Sequence, residues 1–338
     1  MEGAVDPVGE WLGGGAAIDV IDTASVSLVR ERVRAEGARV GLPEVATAAL
    51  VSAASELAHN QLAHARGGRI LVREQRRGAV PGVEVVAADV GPGIEDVAGA
   101  LRGRASRPGS LGAGLSAVLE LSDEVDVDVR LGEGTCVSAR KFAAMVPSGR
   151  RVGVFGRPFP GEPVSGDDGG VVRSGGAIAV ALVDGLGHGP LARDASSRAR
   201  HVLVRHPDLP PSELLSFCDV ALRGTRGAVM AAAQVDPNGL TFAAVGDVGA
   251  HVYGPRGSKR FAATSAILGT RGGARRARDE RQELEAWDVV VFFTDGVTSR
   301  LDLAGDRELL REHPIVVAAH VVERFARPND DVLVIVLG

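Results

Sequence analysis

Apolar residues recur along this chain in two periods, and the changes between them outline its elements. Residues 44–65 carry a helical pattern, with Leu50, Val51, Leu57, Ala58, Leu62 and Ala65 on one face. Ser52, Glu56 and Asn60 follow one another at i, i+4 on a different stripe, beside the small Ala49, Ala53 and Ala63, which leave room for a ligand. A charged helix is predicted over 28–37, and Pro43 suits the first turn of the longer helix. Residues 69–74 and 83–88 read as strands joined through a turn-like 78–82. After the glycine-rich 109–114 comes a helix over 115–121, then a hairpin of 125–130 and 135–141 turned at Gly132-Glu133-Gly134.

Pro147-Ser148-Gly149-Arg150 reads as a linker, after which strands dominate. Residues 152–155 and the almost wholly apolar 177–183 are predicted strands. Helices follow from Pro190 to 200 and, capped by Ser212, to 222. Residues 228–235, 240–245 and 250–253 suit a meander whose first turn is Asp236-Pro237-Asn238-Gly239. A buried strand over 288–293 runs into Asp295, a helix spans 314–325, and a last strand covers 332–337. The charged 271–285 is expected to be a solvated loop. The expected organisation is an α+β protein of two domains, 1–145 and 152–338, joined by 146–151.

Composition narrows this picture. With 338 residues, 45% of them apolar, both domains can build a core. A formal net charge of −5 argues against nucleic acid or an anionic membrane as the main partner. Cys136 and Cys218 fall in different halves and read as free thiols of a reducing compartment. The acidic N-terminus lacks a signal-peptide pattern, and no apolar run approaches the ~20 residues of a membrane span, so a soluble, cytoplasmic protein is expected.

The first half has no P-loop and no strand-linked Gly-x-Gly-x-x-Gly. It has instead Ser55-Glu56-Leu57-Ala58-His59-Asn60, Asp89-Val90-Gly91-Pro92-Gly93-Ile94 and Gly112-Ala113-Gly114. Asn60 offers a hard, neutral oxygen to Mg²⁺. Asp89, at a strand end, can accept from an exocyclic amine and so select adenine. Gly91 and Gly93 permit close backbone approach to a base, and Gly112 and Gly114 let N–H groups meet phosphates at a helix start. Each motif alone is ordinarily an exposed pair or a turn; together and in this order they point to Mg-ATP.

The order of these motifs, with Ser122-Asp123-Glu124 and Gly134-Thr135, resembles the GHKL (HATPase) ATP-binding fold over 44–141, and within it the RsbT-type serine/threonine kinases and their anti-sigma relatives. The resemblance implies an α/β sandwich with a mixed sheet. It makes Asn60 the Mg²⁺ ligand, Asp89 the adenine contact and Thr135 a further nucleotide contact. Glu56 becomes the base that takes the proton of an acceptor hydroxyl, or else only orders a metal-bound water.

In the second half, Asp184, Asp295 and Asp330 stand where apolar strands end or begin, and Asp167 joins them. Two bare carboxylates ~4 Å apart repel by about 4 kcal/mol at an effective dielectric near 20, so such a cluster implies bound cations. All-oxygen donors favour Mg²⁺ or Mn²⁺, and a pair of such ions suits hydrolysis of a phosphate ester. Asp184-Gly185-Leu186-Gly187-His188-Gly189, Ser165-Gly166-Asp167, Thr294-Asp295-Gly296 and Asp330-Asp331 resemble the SpoIIE- or RsbX-type phosphatases of the metal-dependent PPM group over nearly all of 152–338. That resemblance implies an α-β-β-α sandwich with Asp184 as the bridging ligand, the Gly185 carbonyl beside it, and Asp167, Asp295 and Asp330 completing the shell of two ions. His188 is either a general acid or part of the turn. Asp168-Gly169-Gly170, Ser299 and Leu333 depart from the family pattern and leave substrate choice open, and no phosphate-clamping arginine emerges among Arg151, Arg157 and Arg173.

Three functions follow. The first is a bifunctional switch, kinase and phosphatase, acting on a STAS-domain partner of a partner-switching or stressosome pathway. In the second, the ATP-binding half only regulates the phosphatase. The third is an interaction protein with both sites degenerate. The resemblance also allows a homodimer.

Overall fold

Asp22 opens the first long helix. Its carboxylate accepts from the Ser25 N–H at 2.8 Å while the Ser25 hydroxyl accepts from the Asp22 N–H at 3.1 Å, a reciprocal cap. This helix, α1 (Thr23–Val40), ends at Gly41, whose φ of 74° needs no Cβ penalty. It begins before the charged 28–37 pattern because Val26, Val29 and Val33 supply its buried face. The computed structural model describes residues 16–103, 114–146, 149–174, 176–270 and 277–338, and the chain divides into two compact units, Met1–Arg151 and Val152–Gly338.

In the first unit, α2 (Glu44–Asn60) buries Leu50, Val51, Leu57 and Ala58. The helical pattern expected to 65 does not continue as α-helix: Gln61–Ala65 widens to a π-turn, leaving Leu62 and Ala65 only half-buried. Gln61 is buried instead, and its amide donates to the Ala88 and Arg69 carbonyls at 3.1 and 3.3 Å, fastening the helix end to the sheet.

The strands are β1 (Ile18–Val20), β2 (Gly68–Arg77), β3 (Val80–Asp89), β4 (Glu124–Arg130) and β5 (Gly134–Phe142), in the order β1-β2-β3-β5-β4. Every described pairing within this unit is antiparallel, and β5 stands between β3 and β4 out of chain order. The route from β3 to β4 passes α3 (Val97–Leu101) and α4 (Gly114–Leu121). The β2–β3 hairpin turns on Gly78-Ala79 alone, so Pro81 and Gly82, expected in a turn, lie in β3. Buried charges fix the register: Glu84 takes hydrogen bonds at 2.7 Å from both Arg73 and Arg140. Burial acts to raise the Glu84 carboxyl, but the two guanidinium groups outweigh it and hold it below its ordinary value.

The second unit is a sandwich of two antiparallel sheets. The strands are β6 (Val152–Arg157), β7 (Asp167–Ser174), β8 (Ala177–Gly185), β9 (Ala228–Asp236), β10 (Gly239–Val245), β11 (Gly249–Gly254), β12 (Gly257–Phe261), β13 (Glu280–Glu283), β14 (Val289–Phe293) and β15 (Val332–Leu337). One sheet runs β6-β15-β14-β11-β12 and the other β13-β10-β9-β8-β7. Leu182, Phe242, Phe292 and Ile335 belong to the core between them. On the outside of the second sheet, α5 (Pro190–Arg205) and α6 (Pro211–Ala221) bury Ala195, Leu203, Leu215 and Cys218. The first sheet is covered by α7 (Pro314–Phe325), which packs on β6 and β15.

Three expectations are corrected here. The meander breaks after β10, because β11 pairs with β14 in the opposite sheet. Ser212 is not the cap of α6, which starts after Pro210; the Ser212 N–H and hydroxyl bond Asp279 instead. Residues 280–283, expected in a loop, form edge strand β13 against β10, and 271–276 lie outside the described residues.

Candidate functional site

Each unit brings one group of the singled-out residues together. In the first unit, Asn60 ends α2 and Gly114 starts α4. A Cβ placed on Gly114 would stand 2.8 Å from both terminal atoms of the Asn60 amide, so any larger residue there would push that amide aside. Glu56 lies half-buried one turn before Asn60 on the same stripe. Asp89 ends β3 directly opposite Thr135 on β5, and its Oδ1 accepts from the Gly91 N–H at 2.8 Å. Burial pushes the Asp89 carboxyl above its ordinary value, while the Gly91 and Thr135 N–H groups and the His64 charge work against that rise. Gly93 has a φ of 80° and turns the chain beside Arg130. Gly112 lies outside the described residues.

In the second unit, β7 and β8 pair so that Asp167 faces Asp184 across the ladder. Asp295, two residues past β14, is close enough for its charge to act on Asp184. The Asp330 charge acts on both Asp184 and Asp295. Burial and the neighbouring Asp295 push the Asp184 carboxyl up to about 8, and burial with the Asp184 charge pushes Asp167 well above its ordinary range. Asp167 is buried and hydrogen-bonded by the Thr294 hydroxyl, but its Oδ2 has no partner. A buried carboxylate oxygen without a donor, among acids that raise one another, fits a divalent cation. Among the described residues no three or more His, Cys, Asp or Glu side chains converge as a ligand set, so these acids would hold an ion only with water or backbone oxygens completing its shell, as hard ions such as Mg²⁺ accept.

Gly185 packs against the Ala192 carbonyl at the start of α5, closer than any Cβ would permit. His188 is exposed. Its Nδ1 is 2.6 Å from Glu162 Oε1, and its ring stacks on Phe159 at 4.7 Å, leaving Nε2 as its other proton site.

Several groups here had no role assigned from sequence, although Asp331 stood in the Asp330-Asp331 motif and Asp168 among the departures from the family pattern. Asp331 is buried, accepts from the Phe159 N–H at 2.7 Å and also bonds Gly166 and Ser165, so it orients the turn that delivers Asp167. Asp168, fully buried, pairs with buried Arg200 at 3.3 Å. The Asp247 charge reaches Asp295. None of these carries a periodic or spacing signal; a run of two acids before Gly169 was the only trace of the Asp168 pair.

Comparison with known proteins agrees with two separate sites. Residues 21–141 match the histidine kinase-like ATPase domain, and residues 174–338 match Stage II sporulation protein E (SpoIIE). Serine/threonine-protein kinase RsbT of Bacillus subtilis (strain 168) is 31% identical over 127 residues, covering 38% of this chain and 96% of RsbT. A structure described as "The bacterial stressosome: a modular system that has been adapted to control secondary messenger signaling" is 30% identical over 56% of this chain and 100% of its own, with a TM-score of 0.52. RsbX in complex with magnesium is 18% identical over 57% of this chain and 96% of its own, with a TM-score of 0.50, a likeness of fold. Among the described residues, no helix is long and apolar enough to cross a membrane.

Proposed function

Because this chain belongs to the RsbT family of histidine kinase-like ATPase domains and carries a SpoIIE phosphatase domain after it, we propose that it is a bifunctional switch: a Ser/Thr kinase in the first unit and a metal-dependent phosphoserine/phosphothreonine phosphatase in the second. Both act on a STAS-domain partner of a partner-switching or stressosome-like pathway. The observation that supports this reading most is that each unit draws together one group of the residues singled out from sequence, Asn60 against Gly114 in one and the mutually perturbed Asp167, Asp184, Asp295 and Asp330 in the other.

In the kinase half, Mg-ATP supplies the phosphoryl group. Asn60 holds the ion, the N–H groups at the start of α4 meet the phosphates, and Asp89 with Thr135 holds the base. Glu56, one turn from Asn60, accepts the proton of the partner's hydroxyl.

In the phosphatase half, two Mn²⁺ or Mg²⁺ ions, when bound, supply an activated water and charge neutralisation for in-line displacement at phosphorus. Asp184 with the Gly185 carbonyl, together with its cross-strand partner Asp167 and with Asp295 and Asp330, would hold those ions. Asp331 keeps Asp167 aimed. His188, held at Nδ1 by Glu162, can return a proton from Nε2 to the leaving Ser or Thr oxygen.

The test uses Asp184→Asn protein with Mg²⁺, γ-labelled ATP and a STAS-domain partner, so that removal of phosphate cannot hide its transfer. Label on the partner that disappears with Glu56→Ala added is the expected result. ATP binding without any label would make the first unit a nucleotide-responsive regulator of the second.

A further inference from the structure

Four carboxylates and two divalent ions cancel in charge, so a phosphate dianion entering that site meets no net positive charge unless other groups supply it. The arginines of the second unit divide sharply. Arg193 and Arg200 are committed to Ser165, Asp167 and Asp168 inside the fold. Arg173 is six residues along β7 from Asp167, about 20 Å away at ~3.3 Å per residue. Arg157 donates to the Arg327 carbonyl at 2.7 Å. Arg327 itself is pinned by its backbone, since its N–H also donates to the Gly296 carbonyl at 2.7 Å, next to Asp295. Its side chain is 52% exposed, with Nη1 3.8 Å from Asp330 Oδ2. Exposed Arg226, just before β9, has its Nη1 2.9 Å from where a Cβ on Gly187, in the loop after Asp184, would stand.

We infer that Arg327, assisted by Arg226, is the anchor for the substrate's phosphate: a guanidinium on a fixed backbone that leaves Asp330 to grip two non-bridging phosphoryl oxygens. This rests on the phosphatase reading of the same site. A planar guanidinium matches two phosphate oxygens at once, which an ammonium cannot. Such an anchor accepts any phosphomonoester dianion and leaves discrimination between partners to surfaces beyond it. Arg327 replaces Arg151, Arg157 and Arg173 as the clamping residue; Arg157 serves it by holding its carbonyl.

The test measures inorganic phosphate binding to Mn²⁺-loaded full-length protein by calorimetry, together with hydrolysis of a phosphoserine peptide and Mn²⁺ affinity. Losing a charge-assisted pair should weaken phosphate binding in Arg327→Gln by about 10- to 30-fold. KM should rise by a similar factor with kcat changed less than about threefold. Arg327→Lys should recover part of the loss. Mn²⁺ should also bind Arg327→Gln somewhat more tightly, because a cation beside Asp295 and Asp330 is gone, so the drop in phosphate binding cannot be put down to lost metal. Phosphate affinity within about twofold of wild type in both variants, or no phosphate binding by wild type, would overturn the inference. Phosphate binding that depends on Arg327 in a protein that hydrolyses nothing would refute the phosphatase reading and leave the anchor standing.

Discussion

Asp184→Asn should make the metal-free protein more stable while making it indifferent to Mn²⁺. The carboxyl of Asp184 is driven from 3.8 to about 8 by burial and by Asp295 and Asp330. At about 1.36 kcal/mol per unit, holding that group near neutral pH costs the chelated fold a ceiling of roughly 4 kcal/mol. Because Asp184 and Asp295 titrate as interacting groups, only part of this belongs to Asp184, about 2 kcal/mol. The sign follows from proton counts. A raised native value means that the fold binds more protons than the unfolded chain between 3.8 and about 8, so chelated wild type loses stability as pH rises through that window. An amide at 184 has no charge to bury and should flatten that slope. The assay is thermal unfolding in chelator and in Mn²⁺ across a pH series. In chelator near neutral pH, Asp184→Asn should melt about 4–8 °C above wild type, from ~2–4 °C per kcal/mol for a domain of this size. With Mn²⁺ at ~100 times its Kd, wild type should gain about 2.7 kcal/mol and the variant almost nothing. A chelated variant that melts at or below wild type would refute the idea that these acids are held together against their own repulsion.

Two further outcomes test other parts of the molecule. Asp168→Ala leaves Arg200 buried without its partner carboxylate and should cost about 3–5 kcal/mol, read as a lower urea midpoint; a loss under about 1 kcal/mol would contradict the pairing. Gly114→Ala brings a Cβ to 2.8 Å from the Asn60 amide and should weaken binding of a fluorescent ATP analogue by about tenfold while phosphopeptide hydrolysis is unchanged; equal nucleotide affinity would remove Gly114 from that site.

The parts of the fold that sequence made legible are those whose signal is local. Apolar runs located β8, β14 and β15, and helix α7 lies over the predicted 314–325. Strand β7 was not legible, although it carries Asp167: Asp167-Asp168-Gly169-Gly170 is a poor strand former, and pairing with β8 imposes its conformation. Edge strand β13 is polar along its whole length, so its pattern matched a loop. The departure of β11 to the opposite sheet is topological and leaves no trace in spacing. At the site, Asp184 and Asp295 stood out because each follows an apolar run. Asp331, Thr294 and Arg200 take their contacts from partners 32 to 172 residues away; Arg327 stands three residues from Asp330, but its backbone is held by Arg157, 170 residues away. Where the chain loosens from α to π after Asn60, periodicity continued through the change and hid it.

Asp167 and Asp184 belong to one sheet of the sandwich, whereas Asp295 and Asp330 flank strands of the other. If both pairs served one metal centre, the spacing of the sheets would set how far apart its ligands stand. Core side chains such as Leu182 and Phe292, which lie between the sheets, would then share in setting that distance. Enlarging or shrinking one of them by a methylene is a way to tune which ion the protein prefers, and a mutation far from the acids can imitate the loss of one.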